Sequence, residues 1–182
     1  MFRGDKNIVE IKDYTETDQE FIIYLEKCND AKFLEYTIEE KKKEIRDERL
    51  LKHLAKSILL GMKKIHSMGF VHADMKPANL LLHREESNSM PEVKICDFGV
   101  SQIMLKTEAG FEKALMKDRS GTAGYMAPEI KTNNTLVGPE IDVWAFGVIL
   151  YEMAVAYKPT QVRRYQYKDG PIPFRARDWK HL

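Results

Sequence analysis

The stretch His72-Ala73-Asp74-Met75-Lys76-Pro77-Ala78-Asn79-Leu80-Leu81-Leu82 decides how the rest of the chain is read. An apolar run enters it and another leaves it. Between them stand an acid, a base and an amide at fixed spacing: Asp74, Lys76 and Asn79. About fifteen residues further on comes Asp97-Phe98-Gly99, directly after an apolar run at 93–96. Strands at 80–82 and 93–96 deliver Asn79 and Asp97 to one place, where both can offer oxygen to a hard cation. Magnesium favours such ligands and usually binds through few carboxylates together with substrate phosphates. Asp74 lies on the loop before them, placed to accept a proton from a hydroxyl nucleophile. Lys76 can neutralise charge on a phosphoryl group in transfer.

Two further motifs follow in order. They are Gly121-Thr122-Ala123-Gly124-Tyr125-Met126-Ala127-Pro128-Glu129 and Asp142-Val143-Trp144-Ala145-Phe146-Gly147. Together the four resemble the signature set of the protein kinase family. Any one could arise by chance, whereas four in the right order and spacing are specific. The roles that follow are what the resemblance implies, since kinases are the family for which this template was worked out. Asp74 and Lys76 are the catalytic pair, and Asn79 and Asp97 hold Mg2+. ATP is the phosphoryl donor and a protein Ser/Thr hydroxyl the acceptor. Thr122 hydrogen-bonds to Asp74 and Lys76, and Asp142 braces the catalytic loop. Lys76-Pro77 and the Gly-Thr-x-x-Tyr-x-Ala-Pro-Glu pattern resemble the serine/threonine branch. Residues 21–28 resemble the last upper-lobe strand and the hinge. There Leu25 is the gatekeeper, the backbone of Glu26 and Cys28 faces adenine, and Leu81 lies under the ring. A plain core strand is a competing reading for Leu25, and a small buried residue for Cys28.

The implied fold class is α+β, mainly helical: a kinase-like C-lobe with a remnant of the N-lobe sheet. Residues 1–27 form the strand remnant and hinge, and residues 28–182 the C-lobe. Short strands are expected at 8–14 and 21–25 around a polar turn at 15–20. An amphipathic helix is expected over 46–68, with Leu50, Leu51, Leu54, Ile58, Leu59, Met62 and Ile65 as its stripe. The charge run at 39–49 reads as a solvated helix face. A polar loop with Ser87 separates the strands at 80–82 and 93–96. Residues 99–124 show no sustained period and read as a functional loop. The run 141–157 is apolar, but it is short for a bilayer and contains Asp142 and Glu152. It therefore reads as a buried core helix.

Bulk properties narrow the class. The 182 residues carry a net charge of +1 with 43% hydrophobic and 31% charged residues. That balance fits a soluble globular protein and gives no bulk charge for nucleic acid. No membrane partner is expected, and the first ten residues carry no signal peptide. Cys28 and Cys96 are in no zinc-like spacing, which points to a reducing, cytoplasmic setting with the nucleus left open. The basic end at 158–182 reads as ordinary surface.

Three departures from the family bear on activity. Ala73 stands where most kinases carry the Arg that grips an activation-loop phosphate, so activity is expected to depend weakly on such phosphorylation of Ser101, Thr107 or Ser120. No glycine-rich loop or Val-Ala-x-Lys segment precedes the hinge-like strand. The closing helices, with the Arg that pairs with Glu129, are likewise not found. The isolated chain is therefore expected to bind Mg-ATP poorly and to transfer phosphate slowly, leaving apolar surface uncovered at both ends. Three functions stay open: a protein serine/threonine kinase, a non-catalytic binding or scaffold module built on the C-lobe, and a small-molecule phosphotransferase of the aminoglycoside or choline kinase type. The Ala-Pro-Glu segment and the Asp-x-Trp-x-x-Gly helix count against the third.

Overall fold

The computed structural model describes residues 2–29, 45, 47–86, 88–130 and 132–156. Ser87, most of the charge run at 39–49 and the basic end at 158–182 lie outside the described residues. Two strands come first, β1 (Ile11–Glu16) and β2 (Phe21–Leu25), paired antiparallel. The turn between them is closed by Thr17, whose N–H donates to Glu20 O at 2.8 Å and whose hydroxyl accepts from Glu20 N at 3.0 Å. The strand expected at 8–14 is two pieces in the structure. Residues 7–9 turn away from β2: Ile95 N donates to Asn7 O and Val9 N to Ile95 O, each at 2.9 Å. Ile8 and Val9 are buried, whereas every residue of β1 and β2 is exposed. That difference in burial is why one continuous β-favouring run splits where it does.

Helix α1 (Glu48–Ser67) begins at Asp47, whose carboxylate accepts from Arg49 N at 2.9 Å and Leu50 N at 3.1 Å. Such a cap is worth about 1 kcal/mol. The buried stripe is Leu51, Leu54, Ile58, Met62 and Ile65, with Ser57 and Gly61. Leu59 lies outside it, 46% exposed, because it falls about 100° round the helix from Ile58. Gly61 is where the chain entering from residue 7 crosses the helix. A Cβ there would meet Asn7 O at 2.8 Å and Ile95 Cδ1 at 2.7 Å. The helix-propensity gain of Gly61→Ala, about 1 kcal/mol, is opposed by an overpacking cost of about 1–3 kcal/mol. The clash should win, because Asn7 O is backbone already held by Ile95. A lower urea midpoint is expected for this variant, and a raised one would show that residues 5–9 yield freely.

After α1 come β3 (Phe70–Val71), a 3-10 turn (Pro77–Asn79), β4 (Leu80–His83) and β5 (Glu92–Ile95). Strands β4 and β5 form an antiparallel pair with Leu80 opposite Ile95 and Leu81 opposite Lys94. The segment 99–124 is more ordered than its composition suggests. It holds β6 (Gln102–Ile103), β7 (Leu105–Thr107), β8 (Gly110–Glu112) and β9 (Ala114–Met116). β6 pairs with β3, β7 with β8, and β9 with β10 (Thr135–Val137). Strands of two or three residues are too short to leave a readable period.

Helix α2 (Glu140–Val155) ends at Ala156 in the left-handed conformation, and the expected last residue, Tyr157, lies outside the described residues. One apolar cluster joins α1, β4, β5 and α2 through Leu54, Ile58, Leu80, Ile95, Ile149 and Met153. Each such side chain contributes about 1.5–3 kcal/mol on full burial. A second cluster gathers Val71, Ala73, Met104, Met116, Val137 and Ile141 between β3, β9, β10 and α2. Trp144 packs against both. Among the described residues, no helix is long and apolar enough to cross a membrane.

Candidate active site

The loop between β3 and the 3-10 turn is held from below by α2. Asp142, 1% exposed in the first turn of that helix, accepts from His72 N through Oδ2 at 2.8 Å and from Ala73 N through Oδ1 at 2.9 Å. His66 Nε2 also lies 2.8 Å from Oδ2. His66 follows Met62 by four residues and so lies beside the buried stripe of α1. That helical spacing was the available signal for it.

His72 is fully buried. Its Nδ1 accepts from Asp74 N at 3.3 Å, which leaves Nε2 to donate to Cys96 O at 3.0 Å. Cys96 N in turn donates to Asn79 O at 3.0 Å. These two bonds fasten the loop to the end of β5 and set Asp97 beside Asn79. Phe98 lies between His72 and Phe2, with ring centroids 5.1 Å and 5.5 Å away. Ala73 and Asp97 have φ of 66° and 64°, a left-handed conformation that costs a side-chain-bearing residue about 1–2 kcal/mol. Such strain concentrates at functional sites.

Asp74 is tied on both oxygens. Thr122 Oγ1 donates to Oδ1 and Lys76 Nζ to Oδ2, each at 2.7 Å, and Lys76 Nζ also reaches Thr122 Oγ1 at 2.9 Å. The expected Asp74–Lys76–Thr122 contact is therefore present. Gly121 makes the approach possible, since it has φ of 112° and a Cβ there would stand 3.0 Å from Ala73 O. Burial pushes the Asp74 carboxyl up, but the hydrogen bonds from Lys76 and Thr122 and the lysine charge outweigh it. The group is held below its ordinary value and is ionised at neutral pH.

Asn79, 4% exposed, spends its amide N–H on Asp74 O at 2.9 Å and more weakly on Asp74 Oδ2 at 3.4 Å. Its amide oxygen is left as a donor atom for a cation. The Asp97 carboxylate is exposed, and Gly99 N approaches its Oδ1 only at 3.3 Å. One carboxylate and one amide oxygen suit a magnesium ion completed by phosphate and water. No group of three or more His, Cys, Asp or Glu side chains poised for a metal occurs among the described residues.

The Cys96 thiol is pushed up to about 11 by burial, with the Asp97 charge adding to the effect and Cys28 contributing. Cys96 should therefore resist an aromatic disulfide reagent at pH 7–8 and react faster as pH nears that value. Rapid labelling at neutral pH would contradict this.

The residues expected at the adenine end are more dispersed. Leu25 stands half exposed at the end of β2, Cys28 is buried and Leu81 is partly exposed on β4. Glu26 N donates to Glu10 O at 2.9 Å, and Glu26 Oε1 accepts from Glu10 N at 2.8 Å and from Lys94 Nζ at 2.9 Å. Lys94 was missed by the sequence reading, although a cation inside an otherwise apolar strand signals a buried anion.

Residues 2–170 match the model of the protein kinase domain. The chain belongs to the protein kinase family. It is 35% identical over 149 residues to the death-associated protein kinase dapk-1 of Caenorhabditis elegans, covering 82% of this chain and 10% of that protein. It is 34% identical over 153 residues to calcium/calmodulin-dependent protein kinase type IV of Mus musculus, covering 84% and 30%. Serine/threonine-protein kinase D2 of Rattus norvegicus is 29% identical over 178 residues, covering 96% and 19%. The chain thus spans between a tenth and a third of the length of these relatives. Among solved structures it is similar to the yeast RNA Pol II CTD kinase CTDK-1 complex. The TM-score is 0.67 at 28% identity, covering 85% of this chain and 47% of the other. Within that family the resemblance is to the eukaryotic serine/threonine type, and the fold class is the α+β, kinase-like one expected from the sequence.

Proposed function

We propose that this kinase domain transfers the γ-phosphoryl group of ATP to a Ser or Thr hydroxyl of a protein. In this reading residues 1–27 are upper-lobe strands and hinge, and residues 28–182 belong to the lower lobe. The observation that carries it is the Asp74–Lys76–Thr122 constellation at 2.7–2.9 Å, with Asn79 bonded to Asp74 O and Asp97 directly following Cys96, whose N–H donates to Asn79 O. Asp74, ionised, accepts the hydroxyl proton as the oxygen bonds to the γ-phosphorus. The bond from that phosphorus to the bridging oxygen breaks and ADP leaves. Lys76, already oriented by Asp74 and Thr122, stabilises negative charge on the phosphoryl oxygens in transfer. Asn79 and Asp97 would hold Mg2+, which when bound neutralises phosphate charge. Glu26 and Cys28 would meet adenine through their backbone, with Leu25 and Leu81 lining the pocket.

Ala73 lies in the second apolar cluster, 9% exposed, and carries no cation to hold a phosphate. Its surroundings therefore support an activation segment held by packing and strand pairing, with no phosphate clamp at this position. The test of the reading is transfer of labelled phosphate from ATP and Mg2+ to a generic protein substrate, comparing the parent protein with Asp97→Asn. Transfer that depends on Asp97 supports the reading. Equal labelling by both proteins would overturn it.

A further inference from the structure

A lysine in the middle of β5 stands out because burial and charge oppose each other there. Lys94 is 6% exposed, and an ammonium in such a place must be paired and hydrogen-bonded. Its Nζ donates to Glu26 Oε1 at 2.9 Å and to Asp5 O at 3.2 Å. Glu26 is itself held twice by Glu10, through its carboxylate and through its own N–H. One side chain thus joins β5, residue 5 and the segment leaving β2. Lys94 is also the cross-strand partner of Leu81 and shares its face of the β4–β5 pair, opposite the face that packs on α1.

We infer that Lys94 is a positioning residue for the nucleotide base: its buried ion pair with Glu26 fixes the hinge backbone in the shape a purine ring meets. The inference rests on the reading that ATP binds at this segment. Its physical content is preorganisation, in which a hinge already held in its bound shape loses less freedom when the ring docks. The contribution therefore falls on recognition of the base and leaves recognition of the phosphates unchanged. A lysine that only stabilised the fold would affect both alike.

Calorimetry on the parent protein and on Lys94→Met, with adenosine and with magnesium tripolyphosphate as separate probes, decides between these roles. Lys94→Met should weaken adenosine about tenfold while tripolyphosphate changes less than about twofold. Glu26→Gln removes the charge pair but keeps an oxygen for Glu10 N, and it serves as the second variant should Lys94→Met fold poorly. It should show the same base-selective loss. Unchanged adenosine affinity in both variants overturns the inference, as does an equal weakening of both probes. If the parent protein binds tripolyphosphate but not adenosine, the placement of the base fails and the inference falls with it. If the parent binds adenosine and the variants bind it equally well, only the role of Lys94 falls.

Discussion

Replacing Asp142 by alanine is expected to destabilise the domain by about 3–5 kcal/mol. The carboxylate is 1% exposed and serves three partners at once: His72 N, Ala73 N and His66 Nε2. Alanine leaves two buried backbone N–H groups with no acceptor, each costing about 1–3 kcal/mol, and strips the His66 ring of its partner as well. Asp142→Asn keeps one oxygen acceptor and should lose clearly less. Equilibrium denaturant unfolding of the two variants beside the parent protein measures the difference. Native-state hydrogen exchange localises it, because protection should fall first at His72 and Ala73. An alanine variant within about 0.5 kcal/mol of the parent would mean that the carboxylate does not brace the loop.

The largest effect on rate is expected from Asp74→Asn. Loss of a general base typically lowers kcat by about 10²–10⁴. Asparagine still accepts one hydrogen bond, so the loop should stay folded and circular dichroism should be unchanged. Phosphate transfer under saturating ATP is the measurement, and a variant that keeps more than about a tenth of the parent rate would remove Asp74 from the proton path. The same carboxylate carries an acid-side signature. Its folded pKa is depressed below the ordinary 3.8, so its stabilising contribution is complete above that value. It is lost as pH falls through the folded pKa.

Residues whose chemistry is tied to fixed spacing were legible in the sequence. Asp74, Lys76, Asn79, Thr122 and Asp142 come together much as the motifs suggested, although Thr122 reaches Asp74 across 48 residues and Asp142 reaches His72 across 70; the motifs, and not closeness along the chain, made them legible. Contacts made across long separations by residues of ordinary type were not legible. His66 and Asp142 are 76 residues apart, and Lys94 and Glu26 are 68 apart. The position of His66 beside the buried stripe and of Lys94 within an apolar strand marks each as in need of a partner, but nothing in the pattern says which distant residue that partner is. The split of residues 7–9 from β1 was hidden for a related reason. Burial against β5 and exposure beside β2 draw on the same β-favouring residue types, so composition cannot distinguish them. In the segment 99–124 the β7–β8 hairpin is local and β9 pairs with the more distant β10, but strands of three residues are too short to leave a pattern of their own.

The pairing of residues 7–9 with Ile95 gives the domain a mechanical character. Tension applied at Phe2 along the chain would load two backbone hydrogen bonds side by side before it reached the β1–β2 hairpin. Ile95 is two residues from Asp97, so the strand that feels the pull first is the one that ends at the candidate magnesium site. The hairpin lies beyond this joint, and its base is tied back to β5 through Glu10, Glu26 and Lys94. A displacement of the leading segment would be transmitted almost rigidly to the acidic end of β5.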